Sequence, residues 1–298
     1  MASANVTTPL SVWEKGTANV TFAFEGTNEM GVEQLSSSQY AVYKNAAMVG
    51  TTIYGDLNDA FADENAGTVT LLGNIEMNAT AVVGAGKEIT LDLNGKTASM
   101  ADASGATACA IKNNGELTIT DGSDTKDGKI TFASTTPSAN NGYASNAISN
   151  YATITIEAGT IENLTVGGAC YALDNYAGST STINGGKLIA EKTTVRIFNW
   201  TDGEAAKATL NVTDGEIISK DGYGINVNSG NTPHVELNIS GGVITTDDTD
   251  YNLAVYVVNT IGNVPGNAKS TGDTLVFTSE PNELNEDENI LLFVFIST

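Results

Sequence analysis

The chain has 298 residues, of which 41% are hydrophobic, and its 35 acidic and 13 basic residues give a formal net charge of −22. This composition allows a substantial core and is not that of a disordered acidic tail. The scarcity of basic residues argues against a nucleic-acid-binding protein, because phosphates must be neutralised, and against attachment to anionic lipid.

Residues 1–47 do not follow the pattern of the rest of the chain, although 18–26 is typical of a strand. We predict a separate β-containing attachment segment there. The first residues lack the basic and apolar regions of a signal peptide, and no apolar run reaches the ~18 residues of a spanning helix. We therefore expect no membrane insertion, in a chain that is used without Sec export or is a piece of a longer protein.

A short capping helix is predicted at about 56–65. Asp56 can cap it with Asp59 three residues on, and Gly67 can end it. Leu57, Ala60 and Phe61 would share one face. The helix would cover the exposed first coil of the repeats that follow.

A repeat of short alternating strands joined by Gly-ended turns occupies the middle of the chain. The turns end at Gly95, Gly122, Gly159, Gly186, Gly215 and Gly242, with steps of 27, 37, 27, 29 and 27 residues. A fixed period of this size indicates a solenoid. It is too short for the four strands of a propeller blade, and the Leu pattern of a leucine-rich repeat is missing.

A column of asparagines accompanies the turns in "AIKNN", "AISNY", "ALDNY" and "RIFNW". Its members are Asn113, Asn150, Asn175 and Asn199. Their amides can hydrogen-bond from one coil to the next, as asparagine ladders do in stacked β-structures. With this column the chain resembles right-handed parallel β-helix proteins of the pectate-lyase-like type. The resemblance implies an all-β solenoid over 48–262, with three strands per coil and coils ~4.8 Å apart.

The segment at 48–75 resembles the entry segment of bacterial and bacteriophage β-helix surface proteins. At the other end, 263–298 leaves the repeat and ends in the apolar run "ILLFVFIST". We predict a C-terminal β segment there. Because an apolar strand on an open edge aggregates, we expect it to be covered by its own fold or by another subunit, for instance in a trimer.

Three aromatic residues follow the asparagine column and are predicted to point outward. Tyr151, Tyr176 and Trp200 would stack on the exterior of adjacent coils. One interpretation is a strip that binds bacterial or mucosal glycan, since aromatic faces pack on sugar rings. The other is stacking that only stiffens the coils, and it is the interpretation that we favour.

The β-helix resemblance makes polysaccharide lyases and hydrolases the first enzyme class to consider. A lyase of this fold uses a basic residue beside a Ca²⁺-neutralised uronate, but the only arginine, Arg196, has no evident carboxylate cluster beside it. A hydrolase needs paired carboxylates. The acidic groups at 124–127 and 246–250 fit solvated turns better, and they give only a weak indication of Ca²⁺. We therefore predict no catalytic residues, no metal site and no cofactor.

The two cysteines, Cys109 and Cys170, belong to coils separated by one further coil. Two coil steps are ~9–10 Å, which exceeds the Cα separation that a disulfide allows. We predict two free, buried thiols.

The resulting expectation is a non-enzymatic structural or adhesive protein on the surface of a bacteriophage virion. It would be a head decoration, head fibre or tail fibre that attaches to other virion proteins through its N-terminal segment. Two alternatives remain: an adhesin module of the bacterial cell surface, and a polysaccharide-degrading β-helix enzyme.

Overall fold

The computed structural model describes residues 10–11, 30–36, 39–103, 108–137, 144–199, 207–229, 235–247, 255–258, 268–271 and 274–277. Side chains are described from residue 45 onward, except at 102, 228–229, 256–258 and 268–277. Within these residues the chain is a parallel β-solenoid with one short helix. The predicted all-β solenoid is therefore confirmed.

Short strands follow one another along the described part of the chain, and a single helix interrupts them near its start. The N-terminal part contains β1 (Leu10–Ser11), β2 (Met30–Ser36), β3 (Gln39–Lys44), β4 (Ala47–Val49), β5 (Thr52–Tyr54) and the helix α1 (Leu57–Ala62). Then come β6 (Thr68–Leu71), β7 (Ile75–Glu76), β8 (Ala81–Val83), β9 (Glu88–Asp92), β10 (Thr97–Ala103), β11 (Cys109–Asn113), β12 (Glu116–Thr120), β13 (Lys129–Ser134), β14 (Ser145–Asn150), β15 (Thr153–Ile156) and β16 (Thr160–Asn163). The last group is β17 (Cys170–Tyr176), β18 (Thr180–Ile183), β19 (Lys187–Ala190), β20 (Val195–Asn199), β21 (Ala208–Val212), β22 (Glu216–Ser219), β23 (Ile225–Ser229), β24 (Val235–Ile239), β25 (Val243–Thr246), β26 (Val255–Val258), β27 (Ala268–Thr271) and β28 (Thr274–Phe277).

Three long sheets form the walls of the solenoid, because each coil contributes one strand to each of them. The first sheet has the order β24-β21-β18-β15-β12-β9-β6-β4-β5. The second has the order β27-β28-β25-β22-β19-β16-β13-β10-β7, and the third β26-β23-β20-β17-β14-β11-β8. Neighbours within the coils are parallel and differ by three in strand number, which is what three strands per coil require.

The core consists of inward-pointing aliphatic side chains stacked in register from coil to coil. One such column in the first sheet runs through Leu91, Ile119, Ile156, Ile183, Val212 and Ile239. None of these side chains is more than 1% exposed. Burying one such side chain contributes roughly 1.5–3 kcal/mol, so the stacked columns account for much of the stability of the solenoid.

The predicted capping helix is present but shorter, ending at Ala62. Asp56 is its N-cap, with a carboxylate oxygen that accepts from the amide of Asp59 at 2.8 Å. Leu57, Ala60 and Phe61 are buried, as predicted. The helix ends early because Asp63 leaves the helical conformation, with ψ at 133°.

The tight turns between the first and second sheets explain why the sequence places glycine there. The backbone of Gly186 has a φ of +74°, a region that side-chain-bearing residues rarely adopt. A Cβ at Gly185 would lie 2.4 Å from the carbonyl oxygen of Glu157 in the preceding coil. Stacked turns therefore leave no room for a side chain at this position.

The two ends of the solenoid change from parallel to antiparallel pairing. At the N-terminal end, β4 pairs antiparallel with β5 and β6, and β1, β3 and β2 form a separate antiparallel sheet. At the C-terminal end, β27 and β28 form an antiparallel pair that continues the second sheet from β25. The predicted strand at 18–26 and the apolar run at 290–298 lie outside the described residues.

Candidate functional site

The asparagine column lies at one end of the strands of the third sheet, with its side chains inside the solenoid. Asn113 Nδ2 donates to Asn150 Oδ1 at 2.8 Å, and Asn150 Nδ2 donates to Asn175 Oδ1 at 3.2 Å. None of the three is more than 1% exposed. These hydrogen bonds are those of an asparagine ladder, and they satisfy polar groups that would otherwise be costly to bury.

Asn199 does not extend this ladder, which corrects the alignment made from the sequence. The strand register places Ile197 opposite Asn175, and Asn175 Nδ2 instead donates to the carbonyl oxygen of Arg196 at 3.2 Å. The alignment of "ALDNY" with "RIFNW" by their shared Asn is therefore two residues out of register. The observed register matches Leu173 with Val195 in the core and Asp174 with Arg196 outside it.

A local bulge brings additional residues of the third sheet to its outer face. The backbone amides of Ala172 and Leu173 both donate to the carbonyl oxygen of Thr194, and both side chains belong to the core. Two successive inward residues opposite one partner are typical of a β-bulge. The residues on either side of the pair, Tyr171 and Asp174, therefore share the outer face.

Two of the three predicted aromatic residues stack on that face. The rings of Tyr151 and Tyr176 have centroids 4.3 Å apart and an interplanar angle of 6°. The ammonium of Lys112 lies 5.0 Å from the centroid of the Tyr151 ring. Trp200 lies outside the described residues, and the register places Phe198 beside Tyr176. The ring faces of the pair are thus largely occupied by each other and by Lys112.

A buried ion pair lies next to the stacked tyrosines. Arg196 Nε donates to Asp174 Oδ1 and Arg196 Nη2 to Asp174 Oδ2, both at 2.7 Å. The guanidinium carbon lies 4.2 Å from the ring centroid of Tyr171 and 4.5 Å from that of Phe198. The arginine is therefore held by a bidentate ion pair and by two cation–π contacts.

The surroundings of the ion pair determine the protonation states of Arg196 and of the two neighbouring tyrosines. Burial alone would lower the pKa of Arg196, but the carboxylate of Asp174 outweighs burial and raises it. Burial is also the main cause of the raised pKa values of Tyr176 and Tyr171, the latter reaching about 12. The phenols consequently stay neutral, and the guanidinium stays charged, at every physiological pH.

Asn146 completes the polar cluster around Asp174. Its Nδ2 donates to Ser149 Oγ at 2.9 Å and to Asp174 Oδ2 at 3.0 Å. Its Oδ1 is buried and has no hydrogen-bond partner in the structure. Asp174 and Asn146 were not singled out in the sequence. The pairing of Asp174 with Arg196 becomes visible only after "ALDNY" and "RIFNW" are shifted by two residues.

A polar cleft of about 320 Å³ opens beside this cluster, between the loops that lead into the third sheet. Tyr171 and Asn226 contribute to its lining, together with Lys192 and Asp221, which form an ion pair across two coils. The Oδ1 atom of Asn226 is buried without a hydrogen-bond partner. The cleft is thus polar, but its two charged groups neutralise each other.

The acidic turn at 124–127 is arranged around Asp121 rather than around an empty cation site. Asp121 is buried, and its carboxylate accepts from the amides of Gly95 at 2.8 Å, Ser123 at 3.1 Å and Gly128 at 2.6 Å. Asp127 accepts from the hydroxyl of Thr125 at 2.6 Å. Across the described residues, no group of three or more His, Cys, Asp or Glu side chains could hold a metal ion.

Cys109 and Cys170 are both buried and free of disulfide bonds, which confirms the prediction. Burial raises the pKa of both thiols, that of Cys170 to about 11. A thiol with so high a pKa is a poor nucleophile at neutral pH. Both residues therefore act as small hydrophobic side chains.

In comparisons with protein-family models, characterised proteins and solved structures, nothing matches this chain. In the part of the chain that the structure describes, no helix has the length and apolar character needed to cross a membrane.

Proposed function

We propose that this chain is a non-enzymatic structural protein whose solenoid serves as a rigid spacer and display surface on a particle. Our first assignment is a bacteriophage virion, as a head decoration, head fibre or tail fibre. The alternative is an adhesin module on the bacterial cell surface. In either setting, the segment before the solenoid would attach to the support, and several copies would act together.

The observation that carries this proposal is that the only arginine, Arg196, is held in a buried ion pair. In polysaccharide lyases of the β-helix type, a basic residue must approach the substrate and accept a proton. Here the side chain of Arg196 is 1% exposed, its Nε and Nη2 both donate to the carboxylate of Asp174, and the rings of Tyr171 and Phe198 lie 4.2 and 4.5 Å from its guanidinium carbon. Its position suits a tie between two coils, and its raised pKa is the opposite of what a base requires.

The stacked interior supports a mechanical role. Each coil adds one strand to each of the three sheets, and both aliphatic and asparagine side chains stack in register between coils. A coil alone would expose its core and its strand edges, whereas stacking covers both. The result is an elongated body that resists bending and suits a spacer.

The adhesive part of the proposal involves the outer face of the third sheet. Tyr151 is 41% exposed and adjoins Lys112, so this is where an aromatic edge and a cationic group are presented together. A sugar would meet the edges of the stacked rings rather than a free ring face. The stacking geometry therefore favours stiffening of the coils as the first role of Tyr151 and Tyr176.

Mass spectrometry of density-gradient fractions from the source culture tests the assignment. Peptides of this chain should co-sediment with DNA-filled particles if it is a virion component. Peptides that follow the cell envelope would replace the virion assignment by the adhesin. Peptides found only as free protein in the supernatant would overturn both.

A glycan array with the full chain tests the adhesive part separately. Tyr151→Ser should reduce binding to any glycan that the wild-type chain retains. The control is Tyr54→Ser in β5, at the N-terminal end of the solenoid. Equal binding by the wild type and by Tyr151→Ser would remove the aromatic pair from the function and leave the structural role intact.

A further inference from the structure

The stacked tyrosines of the third sheet occupy matching positions on two neighbouring parallel strands. Tyr151 and Tyr176 directly follow Asn150 and Asn175, which the strand register pairs. Their ring planes are 6° from parallel and their centroids lie 4.3 Å apart. In a stack this close, ring carbons of the two phenols are in van der Waals contact. The two hydroxyls are near enough to hydrogen-bond, so they lie at the same end of the stack and the carbons ortho to them are neighbours.

One ring of this pair is open to solvent and the other is sheltered. Tyr151 is 41% exposed, whereas Tyr176 is half-buried. Lys112 lies over the ring of Tyr151, with its ammonium 5.0 Å from the centroid. A reagent that removes an electron from an aromatic ring therefore has access to the pair through Tyr151. The sheltered partner is already in contact with the ring that reacts first.

The sheltered phenol also has a proton acceptor beside it. The Tyr176 hydroxyl hydrogen-bonds to the carboxylate of Asp174. Arg196 holds that carboxylate in place through two hydrogen bonds of 2.7 Å. A phenol that loses an electron also gives up its hydroxyl proton, and Asp174 is placed to accept the proton of Tyr176. The exposed Tyr151 can release its own proton to water.

Tyr171 provides an internal comparison, because it adjoins the same ion pair in a different way. Its ring centroid lies 4.2 Å from the guanidinium carbon of Arg196. Only 6% of the residue is exposed, so an oxidant in solution has little access to it. Proximity to the Asp174–Arg196 pair is therefore common to Tyr171 and Tyr176, whereas access through an exposed, stacked phenol belongs to Tyr176.

We propose that Tyr151 and Tyr176 are a site of oxidative cross-linking, at which a one-electron oxidant of the peroxidase type joins the two rings through their ortho carbons. Each phenol loses one electron and its hydroxyl proton, and the two phenoxyl radicals share their unpaired electrons in a new carbon–carbon bond. The ortho hydrogens leave as protons, and the two oxygens take up protons as the rings regain aromaticity. Two phenols and one hydrogen peroxide thus give one dityrosine and two waters.

The fold favours this coupling and gains from it. Holding two reacting groups in contact turns an encounter between them into a step within one molecule, which raises its rate greatly. The product would join two coils covalently where the chain advances by 25 residues from one to the next. A cross-link that closes such a loop stabilises the folded state, chiefly by constraining the unfolded chain. This modification goes beyond the role of a spacer and does not depend on where the chain is displayed.

Peptide mapping of the full chain tests the proposal. A dilute solution is treated with a haem peroxidase and hydrogen peroxide, and the monomer is isolated on a denaturing gel. Cleavage after Glu157 and Glu162 separates the two tyrosines, so their coupling appears as two linked peptides that have lost two hydrogens. Unfolding the chain in urea before oxidation should lower the yield roughly tenfold or more. A native chain without the link, or with a yield no higher than in urea, would overturn the proposal.

Conservative variants assign the link to its residues. Tyr151→Phe and Tyr176→Phe keep the stacked rings but lack one reacting phenol, and each should abolish the link. Tyr171→Phe is the matched control, since it removes a phenol from the same peptide as Tyr176 and should leave the yield unchanged. Links at the wild-type yield in Tyr151→Phe, or coupling found only between separate chains, would contradict the assignment of this pair.

Discussion

Asp174 and Arg196 form a bidentate ion pair between neighbouring coils, with side chains that are 0% and 1% exposed. The pair lies on the outer face of the third sheet, where charged side chains are normally solvated. Two aromatic rings and the amide of Asn146 surround it instead. Removing one partner would therefore leave the other charge buried and without compensation.

Asp174→Asn is expected to lower the free energy of unfolding by about 3–5 kcal/mol, the usual cost of breaking a buried ion pair from one side. Urea unfolding measures this cost. Lys187→Gln is the matched control, because its ion pair with Glu216 is about half exposed and should contribute at most ~1 kcal/mol. Equal losses of unfolding free energy in the two variants would show that the Asp174–Arg196 pair does not stabilise the contact between its two coils.

The double variant Asp174→Leu/Arg196→Met separates the cost of an unpaired buried charge from the cost of lost packing. Apolar side chains of similar volume remove both charges at once, and such replacements are often neutral or stabilising. We expect the double variant to be more stable than Asp174→Asn alone. A double variant as unstable as the single one would mean that packing, rather than an unpaired charge, dominates.

The repeat of the sequence predicts the fold well because a solenoid is a local structure. The alternation at Leu117 and Ile119 and the Gly-ended turns determine strands, turns and period without distant information. The partners of the single arginine could not be predicted in the same way. The shared Asn of two coils indicated one register, whereas the pairing of Asp174 with Arg196 and of the core residues stabilises another, two residues away.

The asparagine ladder is expected to be worth more than surface amide contacts. Asn150 donates to Asn175 Oδ1 and accepts from Asn113 Nδ2 inside the solenoid. Asn150→Ala would leave an Nδ2 hydrogen of Asn113 and the backbone amide of Ala152 without their acceptor, at a cost of about 1–3 kcal/mol each, whereas Asn175 Oδ1 keeps its hydrogen bond from the Ser181 hydroxyl. Thermal and urea unfolding measure the loss, and Asn184→Ala, which removes exposed contacts with Glu157 and Thr213, should cost at most ~1 kcal/mol. A smaller loss for Asn150→Ala than for Asn184→Ala would contradict this.

We expect glycine to be required at the stacked turns because a side chain there would clash with the preceding coil. In Gly185→Ala the new methyl would lie 2.4 Å from the carbonyl oxygen of Glu157, so the two coils would have to separate locally. We expect a destabilisation of roughly 1–3 kcal/mol, as for overpacking elsewhere. Gly67→Ala is the control, since nothing lies within 4 Å of its added Cβ. If both substitutions were neutral, the turns would not be in close contact.

Asp121 is expected to make the stability of the solenoid depend on pH in the acidic range. Burial acts to raise the pKa of its carboxyl group, but hydrogen bonds from Ser123 and from the backbone amides of Gly128 and Gly95 outweigh burial and lower it. The native state therefore favours the charged form more than the unfolded chain does, whose aspartate pKa is about 3.9. The stabilisation is present above that pH and is lost as the pH falls through the lower pKa of the native state.

Urea midpoints of wild type and Asp121→Asn measured from pH 7 to pH 2.5 should differ most at pH 7 and converge towards pH 2.5. A difference that stays constant over this range would show that the carboxylate charge contributes nothing and that shape alone matters at this turn.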